Sequence, residues 1–129
     1  MNINQLLDLA VQRKASDIHL VTGYPPVMRL HGDLLPVPGA DLLTQNDILG
    51  LVSPLLSPNQ KRLFEEYFEL DFSFGFENKA RFRVNLYRQQ GQVGADLRLI
   101  PLTIPKLDSL GLPPAVKKFV NLMAIKLYS

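Results

Sequence analysis

A chain of 129 residues suits one domain that buries roughly two thirds of its unfolded surface, and the absence of cysteine excludes disulfides, thiolate metal sites and cysteine nucleophiles together. A net charge of +2 is too small for general adhesion to nucleic acid; with no cationic start plus apolar run as in a signal peptide, and no apolar stretch near the ~18 residues of a membrane span, the expected compartment is the cytoplasm. The charge is unevenly spread, since residues 1–78 carry 5 Lys/Arg against 10 Asp/Glu while residues 79–129 carry 9 against 2.

Ile3, Leu6, Leu7, Ala10 and Val11 recur at helical spacing, with Asn2 as N-cap and Gln5 placed to complete a capping box, which predicts a helix ending near Lys14. Ile18 to Val21 and Val27 to Leu30 read as short strands, because the intervening Gly23, Pro25 and Pro26 forbid continuation of either helix or ladder. A third short strand, Leu34 to Val37, follows the Gly32-Asp33 turn, and Pro36 argues for a sheet edge. Thr44 with Asp47, and Ser57-Pro58 with Gln60, open two short helices over about 45–53 and 58–68.

Leu70, Phe72, Phe74 and Phe76 alternate with Glu69, Asp71, Ser73 and Gly75, as in a half-buried strand. Two further alternating strands carry Phe82, Val84 and Leu86, then Val93, Ala95, Leu97 and Leu99. A one-residue slip would turn a whole apolar set to solvent, so register follows from the alternation. A three-residue Glu77-Asn78-Lys79 loop pairs Phe76 with Ala80, Phe74 with Phe82, Ser73 with Arg83 and Asp71 with Asn85. A two-residue Gln90-Gly91 turn then sets Arg83 opposite Arg98; shifting the turn by one place sets Arg98 opposite Asn85 instead. Pro101 and Pro105 bracket an expected linker, and Val116, Phe119, Val120, Met123 and Leu127 form the stripe of a last helix. The order of elements predicts an α+β fold with a mainly antiparallel sheet and flanking helices.

Like charges directly across a ladder are destabilising unless an anion or carboxylate lies between them. Arg81, Arg83 and Arg98, with Arg29 and Arg88 further out, are therefore candidates for phosphate contact, because a guanidinium fork donates two parallel hydrogen bonds to phosphate oxygens. Asn85, Tyr87 and Asp71 would complete that polar face; the competing reading is a solvated face neutralised by Asp71 and Asp96. His19 and His31 each sit alone on short strands without metal-ligand spacing, so a hydrogen-bonding role is expected and a metal site is not. Ser16, Asp17 and His19 are too close along one strand to form a hydrolase relay, and Asp17 is read as tying the turn between the first helix and strand. Gly91 and Gly94 fall short of a phosphate-wrapping glycine loop, so the chain alone is not expected to hydrolyse ATP. RNA-binding sheets carry stacking aromatics beside their basic groups, whereas here only Tyr87 shares the arginine face; nucleic acid is not expected as a partner.

At several separate segments the chain resembles the type IV pilus retraction ATPases, the PilT-type twitching motility proteins of the secretion ATPase superfamily. The segments are Ala15-Ser16-Asp17-Ile18-His19-Leu20, Gly23 through Leu34, Glu69 through Ser73, Ala80-Arg81-Phe82-Arg83-Val84-Asn85 through Gln89, Leu97 through Pro101, and Leu110-Gly111-Leu112-Pro113. The resemblance covers the family's N-terminal domain. It implies a PAS-like α+β domain over residues 1–112, and a helix over 113–129 that would lead into a RecA-like ATPase core, the chain being a truncated product or an isolated domain. It further implies a cytoplasmic homohexamer at the inner face of the membrane, engaging platform proteins of the pilus machinery, without membrane insertion. ATP and Mg²⁺ would be bound in the parent protein and neither by this fragment, with Arg81, Arg83, Arg98 and then Arg29 approaching the nucleotide phosphates. A free-standing PAS-like module for small anions or for protein interaction is the alternative.

Overall fold

The computed structural model describes residues 1–102. Helix α1 (Ile3–Gln12) begins with the expected capping box between Asn2 and Gln5 and buries Ile3, Leu6, Leu7 and Ala10. It stops at Gln12, short of Lys14, whose φ of 56° has already left the helix. Strands β1 (Asp17–Val21), β2 (Val27–Leu30) and β3 (Asp33–Pro36) follow, and then α2 (Gln45–Val52), a 3₁₀ turn (Ser53–Leu55) and α3 (Pro58–Tyr67). Both α2 and α3 carry complete capping boxes, from Thr44 with Asp47 and Ser57 with Gln60. A long meander ends the described chain: β4 (Glu69–Phe76), β5 (Ala80–Gln89) and β6 (Gln92–Pro101). The expected linker at Pro105, the last helix and the domain boundary at residue 112 lie outside the described residues.

All six strands join one sheet in the order β3-β2-β1-β6-β5-β4, and every neighbouring pair is antiparallel. The fold is thus α+β, as the pattern of elements predicts. Pro36 does lie on an edge strand, although β3 ends there and Val37 instead turns inward, its N–H bonded to the Pro26 carbonyl at 2.9 Å. Both expected hairpin registers are present: Phe76 faces Ala80, Phe74 faces Phe82, and Arg83 faces Arg98. The second register follows from a two-residue turn in which Gln90 and Gly91 both have positive φ, 54° and 77°, so that its twist matches that of the flanking strands.

The sheet has two chemically opposite faces. One carries Ile18, Leu20, Phe82, Val84, Leu86, Ala95 and Leu97, each no more than 1% exposed, and meets the apolar sides of the helices in a single core. Phe82 stacks on Phe74 at 5.6 Å between centroids and meets Phe76 edge-on at 6.1 Å. The phenylalanines of β4 and β5 lie on this side, which leaves the other face to polar side chains and Tyr87.

Candidate functional site: an arginine face on the open side of the sheet

Ladder pairing arranges the polar face in rows across the strands. One row reads Arg29, Asp17, Arg98, Arg83 and Ser73, from β2 to β4. The next reads Val27, His19, Asp96, Asn85 and Asp71. Gly94, Tyr87 and Glu69 form a third, and Ile100, Arg81 and Gly75 a fourth. Of the residues expected from the sequence to belong to the site, Arg29, Arg81, Arg83 and Arg98 with Asn85, Tyr87 and Asp71 lie on one face, and Arg88 does not. Arg88 belongs to the opposite parity of β5 and packs over the Phe68 ring, 5.6 Å from its centroid.

The four guanidiniums are not equivalent. Arg83 is exposed and bonds Asp71 Oδ2 at 3.3 Å, as the neutralising reading of this face anticipates. Arg81 donates to Ser73 Oγ at 3.1 Å. Arg29 reaches Asp17 Oδ1 through Nε at 3.3 Å and donates to the Gly32 carbonyl through Nη1 at 3.0 Å. Arg98 is exposed and makes no ion pair or side-chain hydrogen bond among the described residues.

Asp17 bonds Ser16 in the turn between α1 and β1, as its sequence position indicates, and does more besides. Its carboxylate is the centre of a polar cluster on the sheet: Ser16 Oγ donates to Oδ1 at 2.6 Å, Arg29 pairs with Oδ1, and His19 Nε2 bonds Oδ2. The other ring nitrogen of His19, Nδ1, bonds Asp96 Oδ1 at 2.8 Å. Burial alone pushes the Asp17 carboxyl up, but the bonds from Ser16 and His19 and the charges of His19 and Arg29 together hold it below the ordinary carboxylate range. The part of this network that reaches Asp96 escapes sequence reasoning because β6 joins β1 from far along the chain, with no local turn signal to connect them. His31 sits apart in the turn between β2 and β3, and among the described residues no three His, Asp or Glu side chains converge as metal ligands.

Tyr87 is the aromatic that sequence parity assigns to this face, and the outer end of its ring lies over Gly94. A Cβ on Gly94 would stand 2.5 Å from the ring, so glycine there leaves the space the ring fills. Burial, and then the negative charge of Asp96, push the Tyr87 hydroxyl up from its ordinary value. Beside it Glu69, Asn85, Gln89 and Asp96 line a shallow cavity of about 470 Å³. The face can accordingly do two things: receive an anion at the arginines and receive hydrogen-bond donors at the carboxylates alongside.

No protein-family model matches the chain. It is 35% identical to the type IV pilus retraction ATPase PilT of Pseudomonas aeruginosa over 118 residues, 92% of this chain and 34% of that protein. It is also 35% identical to the type IV pilus ATPase PilU of the same organism over 121 residues, 92% of this chain and 31% of that protein. The chain therefore spans about a third of the length of the curated relatives it matches. Among solved structures, a crystal structure of the pilus retraction motor PilT with bound ADP superposes with a TM-score of 0.75 at 35% identity, over 90% of this chain and 34% of that one. The ATPase DotB of Legionella pneumophila superposes with a TM-score of 0.65 at 27% identity, over 92% and 34%. Fold and sequence together define the N-terminal domain of a secretion-type ATPase. Within that class the chain is a PilT-type N-terminal domain, homologous to the pilus retraction ATPases.

Proposed function

We propose that this domain serves an ATP-driven motor that retracts type IV pili in twitching motility, and that its arginine face supplies one wall of a nucleotide site shared with an ATPase core. The relationship to PilT supports the first part. The placement of Arg83 directly opposite Arg98, with Arg81 and Arg29 on the same open face, carries the second. A sheet that tolerates two facing arginines gains from an anion between them, and three phosphate groups supply one.

In this reading Arg98 and Arg83 meet the nucleotide phosphates, Arg81 and Arg29 add flanking positive charge, and Asn85, Tyr87 and Asp71 set the polar margin. Guanidiniums held in advance where negative charge grows during phosphoryl transfer stabilise that charge without reorganisation at the moment of reaction. The described residues suit phosphate but include no ligand set for Mg²⁺, so the metal, the glycine loop and the attacking water are assigned to the core. The motor is a cytoplasmic homohexamer at the inner face of the membrane, in which this domain packs against a neighbouring subunit while platform proteins of the pilus receive the motion. Residues 1–112 form the domain and residues 113–129 the start of the connection to the core. Alone, the domain neither hydrolyses ATP nor retains it tightly.

The test is a chimera in which residues 1–112 replace the corresponding segment of Pseudomonas aeruginosa PilT. Restored ATP turnover and twitching, with turnover falling about 10²-fold in the Arg83→Ala and Arg98→Ala versions, is the expected result. Unchanged turnover in both versions would remove the arginines from the nucleotide site. Low-micromolar ATP binding by the isolated chain would favour a free-standing ligand-binding module.

A further inference from the structure

Arg98 stands between two carboxylates and pairs with neither. Asp17 is its direct cross-strand partner on β1, and Asp96 lies two residues back along β6 on the same face, within reach of a long side chain. Both carboxylates are instead bonded to one histidine: His19 Nδ1 holds Asp96 Oδ1 at 2.8 Å, and Nε2 holds Asp17 Oδ2. We infer that His19 is a positioning residue, which withholds Asp96 and the Oδ2 of Asp17 from Arg98 and so keeps Arg98, with Arg83 facing it, available to an anion. The inference rests on the anion-binding reading of this face.

The imidazole ring donates from both nitrogens only when protonated; the neutral ring donates from one and turns a lone pair toward the other carboxylate. Asp17 stays in place in either state, because Ser16 Oγ and Arg29 Nε also bond it. Asp96 has no hydrogen-bond partner besides His19 among the described residues. Released, it reaches Arg98 on its own strand or Arg83, its diagonal neighbour on β5, and competes with the bound anion. The charged and titratable groups around the ring are Asp17 on β1, Arg29 on β2, Asp96 and Arg98 on β6, Arg83 and Tyr87 on β5, and Glu69 and Asp71 on β4. None but His19 joins the two carboxylates. Anion affinity thus falls as the imidazole loses its proton.

Sulfate is a suitable probe, since it remains a dianion from mild acid to mild base, whatever the protonation of an imidazole beside it. Titrating it into the ¹⁵N-labelled chain, with the Nε–H resonances of Arg83 and Arg98 as readout, should show binding that weakens up to about fivefold from the low to the high end. His19→Gln, permanently neutral, should bind weakly at both ends. Asp96→Asn, a change at a half-exposed position, should bind tightly at both ends, and His31→Gln should keep the wild-type profile. A full pH dependence in Asp96→Asn would overturn the inference, because the imidazolium charge alone would then act. Its loss in His31→Gln would also overturn it, by assigning the dependence to the other histidine. Sulfate binding with no pH dependence would remove the role of His19 and leave the arginine site standing, whereas no arginine shift at any pH would remove both.

Discussion

Arg83 and Arg98 face each other directly across the β5–β6 ladder, and among the described residues only Arg83 of the two has a carboxylate partner, Asp71 at 3.3 Å. Cross-strand repulsion of this kind costs a few tenths of a kcal/mol, up to about 1. Arg98→Gln should therefore unfold at a higher urea concentration than the parent chain while losing anion affinity. A lower midpoint would show that Arg98 supports the fold itself.

Gly94 and Tyr87 form a tight pair, the ring occupying the space of the missing Cβ. Gly94→Ala should cost about 1–3 kcal/mol by displacing the ring. In Gly94→Ala combined with Tyr87→Ala the cost should be much smaller than the sum of the single changes, and a double-mutant cycle by denaturant unfolding measures the difference. Simple additivity would mean that the alanine is accommodated elsewhere.

Acid should weaken the fold through Asp17. Its carboxyl is held below the value of about 3.8 expected for an unperturbed Asp, so the folded chain binds this proton less readily than the unfolded chain. The contribution is whole above the unfolded value and is lost as pH falls through the lower folded value. Urea midpoints measured down through that window should decline more steeply for the parent chain than for Asp17→Asn, whose side chain has no proton to gain there. Parallel declines would place the acid sensitivity in other carboxyls.

Ser57 starts α3 by accepting from the Gln60 backbone N–H at 3.2 Å, while the Gln60 side chain accepts from the Ser57 N–H at 2.9 Å. Ser57→Ala should cost about 1 kcal/mol and Ser57→Gly only a few tenths, because glycine is itself tolerated at this position. Equal losses would point to a packing role for the side chain.

The sequence makes the hairpins legible for a definite reason. Along β4 and β5 the apolar period of two runs without interruption, and the short loops at Glu77-Asn78-Lys79 and Gln90-Gly91 leave few ways to close them. The three capping boxes are equally local and equally readable. The union of β1–β3 with the meander is of another kind: β1 and β6 are far apart in the chain, and their pairing is decided by which exposed edges remain after the hairpins form. The position of Arg29 relative to the meander arginines depends on that pairing, as does the bond between His19 and Asp96. The arginines of the meander could thus be grouped from sequence, whereas the carboxylates and the histidine that govern their surroundings could not.

The same pairing of first and last strands bears on how the chain is made. β1 leaves the ribosome early, yet its neighbour β6 is the last described strand to appear, and folding proceeds only as fast as synthesis supplies partners. Until then β1 offers one unpaired edge, flanked by the apolar side chains of Ile18 and Leu20, to any extended segment that meets it. Nascent chains of this domain are for that interval vulnerable to strand exchange with one another on a crowded polysome, and the arrival of Gln92–Pro101 closes the opening.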